Sequence, residues 1–194
     1  MLSLLRNRFF LGGIVALLLV FGVLSFKATR PVQIGDFIMP SLPGWTQTME
    51  KTNFTDTVKY EKDDGNTHYS LYFKVRLNSA TNAPQTAQAL AAKITQDSAR
   101  VASAMATIGM QYQTGTPLQR TLNGMPAVET QTLITSSSSV IYGRDITFVN
   151  GSQQYDVNAN AVLPVGSPPT PPADVVAKRD QALDAITQQL IPPA

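Results

Sequence analysis

Residues 68–77, HYSLYFKVRL, alternate in chemical character without a break. Tyr69, Leu71, Phe73, Val75 and Leu77 fall on one side, and His68, Ser70, Tyr72, Lys74 and Arg76 on the other. Successive side chains of a strand point to opposite faces. A two-residue period therefore predicts a strand with one packed and one wetter face, the pattern of an antiparallel sheet.

The same reading extends outward. Asp64-Gly65-Asn66 marks a hairpin turn before this strand, and Thr57–Lys62 and Trp45–Lys51 read as strands ahead of it. Asp36–Met39 is a short apolar entry, followed by the turn SLPGW at 41–45. Beyond the quoted stretch the period changes. Ala87, Leu90, Ala91, Ile94, Ser98, Val101, Met105 and Ile108 form one stripe of a helix over 84–109, with Pro84 in its first turn and Gly109 at its C-terminal cap. This helix is expected to cover the apolar face of the sheet.

Strand signals resume at Gln111–Leu122, bent at Gly115-Thr116-Pro117, and continue through Ala127–Thr135, Val140–Val149 and Gln154–Leu163. Asn123-Gly124 and the stretch 150–153 supply hairpin turns. The loop PVGSPPTPP at 164–172 is stiff and exposed by composition. A last helix, Ala173–Leu190, takes Thr170 as its cap and carries Val176, Leu183, Ile186 and Leu190 on one stripe. Hairpin-linked strands with two amphipathic helices predict an α+β domain, a mainly antiparallel sheet sandwiched between two helix layers.

Residues 9–26, FFLGGIVALLLVFGVLSF, carry no charge and are bracketed by Arg8 and Lys27. As a helix this run rises about 27 Å, close to the bilayer's roughly 30 Å. The expectation is a basic tail over 1–8, a transmembrane anchor over 9–26 (or a signal peptide cut after Ser25), a linker over 27–35 and an extracytoplasmic domain over 36–194. The chain then sits single-pass in the inner membrane with its domain facing the periplasm or cell exterior. The alternative is secretion after cleavage.

Of 194 residues, 15 are Lys or Arg and 13 are Asp or Glu, and Arg6, Arg8 and Lys27 flank the apolar run. The remaining domain is close to neutral, without the basic field that nucleic acid requires. There is no cysteine and one histidine, His68, which excludes disulfides, thiolate sites and multi-histidine metal clusters.

Phe37-Ile38-Met39-Pro40 followed by Pro43-Gly44-Trp45, then Leu122-Asn123-Gly124-Met125-Pro126-Ala127, Tyr155-Asp156-Val157 and a final helix, resembles the PsbP-like α/β/α sandwich superfamily over residues 36–191. That group includes bacterial envelope proteins of the DcrB and LpqN type. The resemblance implies a sandwich fold and no catalytic residues. Bacterial members are often lipoproteins, and this chain has no cysteine to lipidate.

Candidate sites are few. His68, Tyr72, Lys74 and Arg76 share a strand face that would suit a protein partner, against the plainer reading of a solvated face. Trp45 either packs in the core or lines a ligand mouth near the 84–109 helix. Asp145, Asp156 and Glu129 lie on neighbouring strands; a hydrolase would need two of them to converge in a cleft. Asp63-Asp64-Gly65-Asn66 lacks the distal Glu of a calcium loop and reads as a turn. No metal, cofactor or catalytic residue is assigned. The expected function is a membrane-anchored, non-catalytic domain that binds or stabilises an envelope protein complex. A carrier or sensor of a small apolar or lipid ligand is the alternative, and a hydrolase ranks last.

Overall fold

The computed structural model describes residues 24–27, 31–76 and 84–190. The elements in chain order are β1 (Leu24–Lys27), β2 (Val32–Ile34), β3 (Phe37–Met39), β4 (Thr46–Lys51), β5 (Thr55–Asp64), β6 (Thr67–Arg76), α1 (Ala87–Thr107), β7 (Gln111–Thr114), β8 (Leu118–Leu122), β9 (Met125–Thr135), β10 (Ser139–Asn150), β11 (Gln153–Pro164) and α2 (Ala173–Thr187). One sheet runs β1-β4-β5-β6-β11-β10-β9-β7, with β8 also paired to β9, and its pairings are antiparallel. β2 and β3 form a separate hairpin.

Local chemistry sets these boundaries. Leu122 pairs with Met125 across Asn123-Gly124, whose φ angles of 49° and 86° are those of a type I′ hairpin turn. At the end of α1, Gly109 takes φ 76°, so that its N–H reaches Ala106 O and the Met110 N–H reaches Met105 O, closing the helix as a Schellman motif. α1 starts later than Pro84 suggests, because Thr86 caps it by accepting from the Ala89 N–H at 3.2 Å. α2 follows Pro172 with no side-chain cap bond, so Thr170 does not serve; Asp174 lies in its first turn.

The odd-numbered face of β6 is the core face. Tyr69, Leu71, Phe73 and Val75 are buried, while Leu77 lies outside the described residues. Phe37, Phe148 and Tyr155 join Phe73, with the Phe37 ring 5.0 Å from that of Tyr155 and 5.7 Å from that of Phe148, both edge to face. α2 covers this core with Ala182, Leu183 and Ile186, followed by Leu190. On the same side of the sheet Arg144 forks onto Glu129, Nε to Oε1 and Nη2 to Oε2 both at 3.0 Å, and reaches Asp180 and Asp184 of α2 at 3.5 Å. Burial alone would push this guanidinium down, but the carboxylates of Glu129, Asp180 and Asp184 outweigh it and hold its pKa above the usual value.

Three expectations are corrected. α2, rather than the 84–109 helix, covers the apolar face; α1 packs on β7, β8 and β9 from the opposite side. The presumed linker 27–35 contains β2. Residues 24–26, the end of the expected transmembrane helix 9–26, are extended in β1 and pair with Met49, Glu50 and Lys51 of β4. Among the described residues no helix is long and apolar enough to cross a membrane. The anchored fold, the membrane partner, the inner-membrane placement and the anchored envelope-complex function all rested on that helix and fall with it. The remainder of the run, with the basic tail 1–8, lies outside the described residues.

Candidate functional site

The even-numbered face of β6 continues across its neighbours as rows of polar side chains. Lys74 stands beside Asp156, which stands beside Thr147. In the next row Tyr72 stands beside Asn158, then Asp145, then Thr130. A strand face that meets neither core nor a fully covering helix keeps polar residues, and here it meets α1 only at one end. Leu90 is the fully buried residue of α1, seated against Val128 and Val149. The rest of the helix forms a side wall. Between that wall and the polar rows lies a cleft of about 680 Å³.

The wall is apolar through Leu90, Ile94 and Val101, and Phe54 and Tyr112 stand at its rim. The floor is polar and ordered by hydrogen bonds. Arg76 Nε donates to Asp156 Oδ2 at 2.9 Å, and Thr147 Oγ1 and Gln154 Nε2 donate to Asp156 Oδ1 at 2.8 and 3.2 Å. Asn158 Nδ2 donates to Asp145 Oδ1 at 2.9 Å, and Thr132 Oγ1 to Asp145 Oδ2 at 3.3 Å. Gly143 makes room for this last bond, because a Cβ there would collide with the Thr132 hydroxyl. Burial pushes the Asp145 carboxyl from 3.8 up to about 6; the Asp156 charge adds to this, while Asn158, Thr132 and Lys74 act against it.

This carboxyl has a measurable consequence. A folded-state pKa above the unfolded one favours folding below pH 4, where both states are protonated, and that advantage is lost as pH rises through 6. Raising a carboxyl from 3.8 to about 6 is worth at most about 3 kcal/mol. Solvent access to the cleft reduces this to roughly 1–2 kcal/mol. Asp145→Asn is expected to stabilise the protein by that amount at pH 7 and by nothing near pH 3. Urea denaturation at the two pH values checks it.

The sequence-derived residues divide between places. Lys74 and Arg76 line the cleft; His68 lies at the other end of β6, its Nδ1 2.7 Å from Asp63 and its Nε2 3.4 Å from Glu61. Two ammonium groups approach the Tyr72 ring, Lys74 Nζ at 5.0 Å and Lys59 Nζ at 5.5 Å from its centroid. Trp45 is on the opposite face, edge to face with Tyr69 at 6.4 Å, in a smaller cavity of about 300 Å³ beside α2. One pocket shared by Trp45 and the 84–109 helix is therefore two separate cavities. Asp145 and Asp156 do share the cleft floor, whereas Glu129 points to the α2 side with Arg144 and Arg120. Among the described residues no group of three or more His, Asp or Glu side chains is placed to hold a metal ion. The alternation of polar residues at 74 and 76, 145 and 147, and 154, 156 and 158 was the available signal for this site.

No family model matches the chain, and no curated protein matches it. Among solved structures it is similar to PA94 of Pseudomonas aeruginosa, a protein of unknown function, with 11% identity over 87% of this chain and 98% of that one and a TM-score of 0.48. It is also similar to the cyanobacterial PsbP of Synechocystis, with 10% identity over 86% of this chain and 90% of that one and a TM-score of 0.45. The PsbP-like resemblance is thus a distant structural one and assigns the chain to no specific family.

Proposed function

We propose that this protein is a non-catalytic binding domain for a small amphiphilic molecule, held in the cleft between α1 and the polar face of the sheet. The observation that carries this reading is the cleft itself: about 680 Å³, with an apolar wall along one side and a hydrogen-bonded polar floor. Small-molecule sites fall in the range of roughly 300–1,000 Å³ and combine apolar lining with a few placed polar groups. The ligand's apolar body lies along Ile94 and Val101, and its polar end meets the floor.

The wall is also the part of the fold most able to adjust. One fully buried side chain holds α1 to the sheet, while Val101 and Ile108 are exposed. Elements with few buried contacts open at low free-energy cost, which gives a ligand a way in.

Native mass spectrometry of the full chain tests the reading. A reproducible adduct of a few hundred daltons is expected on the wild type. Ser98 faces the cleft from α1, so Ser98→Trp should fill the space and remove the adduct, while Ser98→Ala keeps it. A bare wild-type chain, or an adduct that survives in Ser98→Trp, overturns the proposal.

A further inference from the structure

The charges around the cleft are not evenly matched. Asp156 is held by Arg76 at 2.9 Å. Asp97 on α1 is held by Lys93 at 2.9 Å and Arg100 at 3.7 Å. Among the described residues, Asp145 has no basic side chain within ion-pair distance; its hydrogen-bond donors are the neutral amide of Asn158 and the neutral hydroxyl of Thr132. Lys74, on the same floor, lays its ammonium over the Tyr72 ring instead.

A carboxylate drawn out of water without an ion-pair partner is costly, and it is stabilised by any cation that reaches it. An incoming ammonium at Asp145 also finds the hydroxyls of Thr130 on neighbouring β9 and of Thr147 two residues along β10 as further acceptors, while its carbon chain lies along Ile94 and Val101. An anionic head would find Arg76 and Lys93 already paired with carboxylates and would have to draw Lys74 off the Tyr72 ring. We infer that the polar end of the ligand is a cation, an alkyl- or arylammonium group, and that Asp145 is the residue that receives it. This rests on the reading of the cleft as an amphiphile site and gives that site its chemical class.

The inference sets a pH signature. Binding a cation requires Asp145 ionised, so affinity falls as pH drops below about 6, approaching tenfold per pH unit. The other charged or titratable groups lining the cleft are Asp156 on β11, Lys74 and Arg76 on β6, Lys93 and Asp97 on α1, and Tyr112 on β7.

Calorimetric titration of the full chain with octylammonium, octanol and octanoate, at pH 7 and pH 5, tests it. Octylammonium is expected to bind at least about tenfold more tightly than octanol at pH 7 and to weaken at pH 5. Asp145→Asn should abolish the preference, and Ser98→Trp should abolish binding. If octanol or octanoate binds as tightly as octylammonium in a Ser98→Trp-sensitive way, or Asp145→Asn leaves ammonium affinity unchanged, the cation assignment is overturned while the cleft reading stands. If none of the three binds in a Ser98→Trp-sensitive way, both are overturned.

Discussion

Replacing Arg144 with alanine is expected to lower the unfolding free energy by about 3 kcal/mol, the cost of breaking a buried ion pair from one side. Glu129 is only 7% exposed, and both its oxygens accept from Arg144. Removing the guanidinium strands that carboxylate with Arg120 alone, a side chain 43% exposed to water. The same change removes the cation that lies 3.5 Å from both Asp180 and Asp184, so α2 loses an electrostatic tie as well as the sheet. The double variant Arg144→Met with Glu129→Leu should recover most of the loss, since well-packed apolar residues often replace a buried pair at little cost. Chemical denaturation of the single and double variants reads this directly. Equal losses in both would mean that the packing of these side chains, and not their charge, supports α2.

Leu90→Ala has an effect of similar size but a different reach. A buried leucine truncated to alanine loses about 2–5 kcal/mol, and Leu90 is the fully buried residue of α1. Its neighbours Val128 and Val149 belong to a small cluster separate from the main core. The loss should therefore fall on α1 and spare α2. Amide exchange within α1 should accelerate by a hundredfold or more, equivalent to about 3 kcal/mol, while amides of β6, β11 and α2 hold their protection. A uniform loss of protection would mean that α1 and the sheet open as one unit. Ligand affinity should fall with the wall displaced.

The strands were legible because their signals are local. Alternation over 68–76 gave β6 and its buried face, and the turns at 65–66, 123–124 and 151–152 placed three hairpins correctly. The sides of the two helices were not legible. Both have apolar stripes, and a stripe says that a helix is amphipathic without saying which surface it meets. The outcome follows the size of the side chains: α2 with the turn after it brings Leu183, Ile186 and Leu190 into the core, while the α1 stripe is diluted by Ala87, Ala91 and Ser98. β1 was hidden for another reason. Its sequence LSFK continues an apolar run, and the pairing that makes it a strand is with residues 48–51, out of reach of any local pattern. The cleft depended on both the helix sides and the pairing of distant strands, so its acids were visible as residues before they were visible as a site.

Two meanders make up the centre of the sheet. β4, β5 and β6 are linked by short turns, as are β9, β10 and β11, and the two groups meet along one line, where β6 lies against β11. Arg76 and Asp156 bridge that line at a sequence distance of 80 residues. Contacts of such separation demand costly loop closure and are slow to form. Each meander holds only part of the polar floor: Lys74 and Arg76 come from one, Asp145, Thr147, Asp156 and Asn158 from the other. The proposed cleft is therefore completed only when the two groups join, and until then its floor lacks Lys74 and Arg76 and Asp156 lacks its cation.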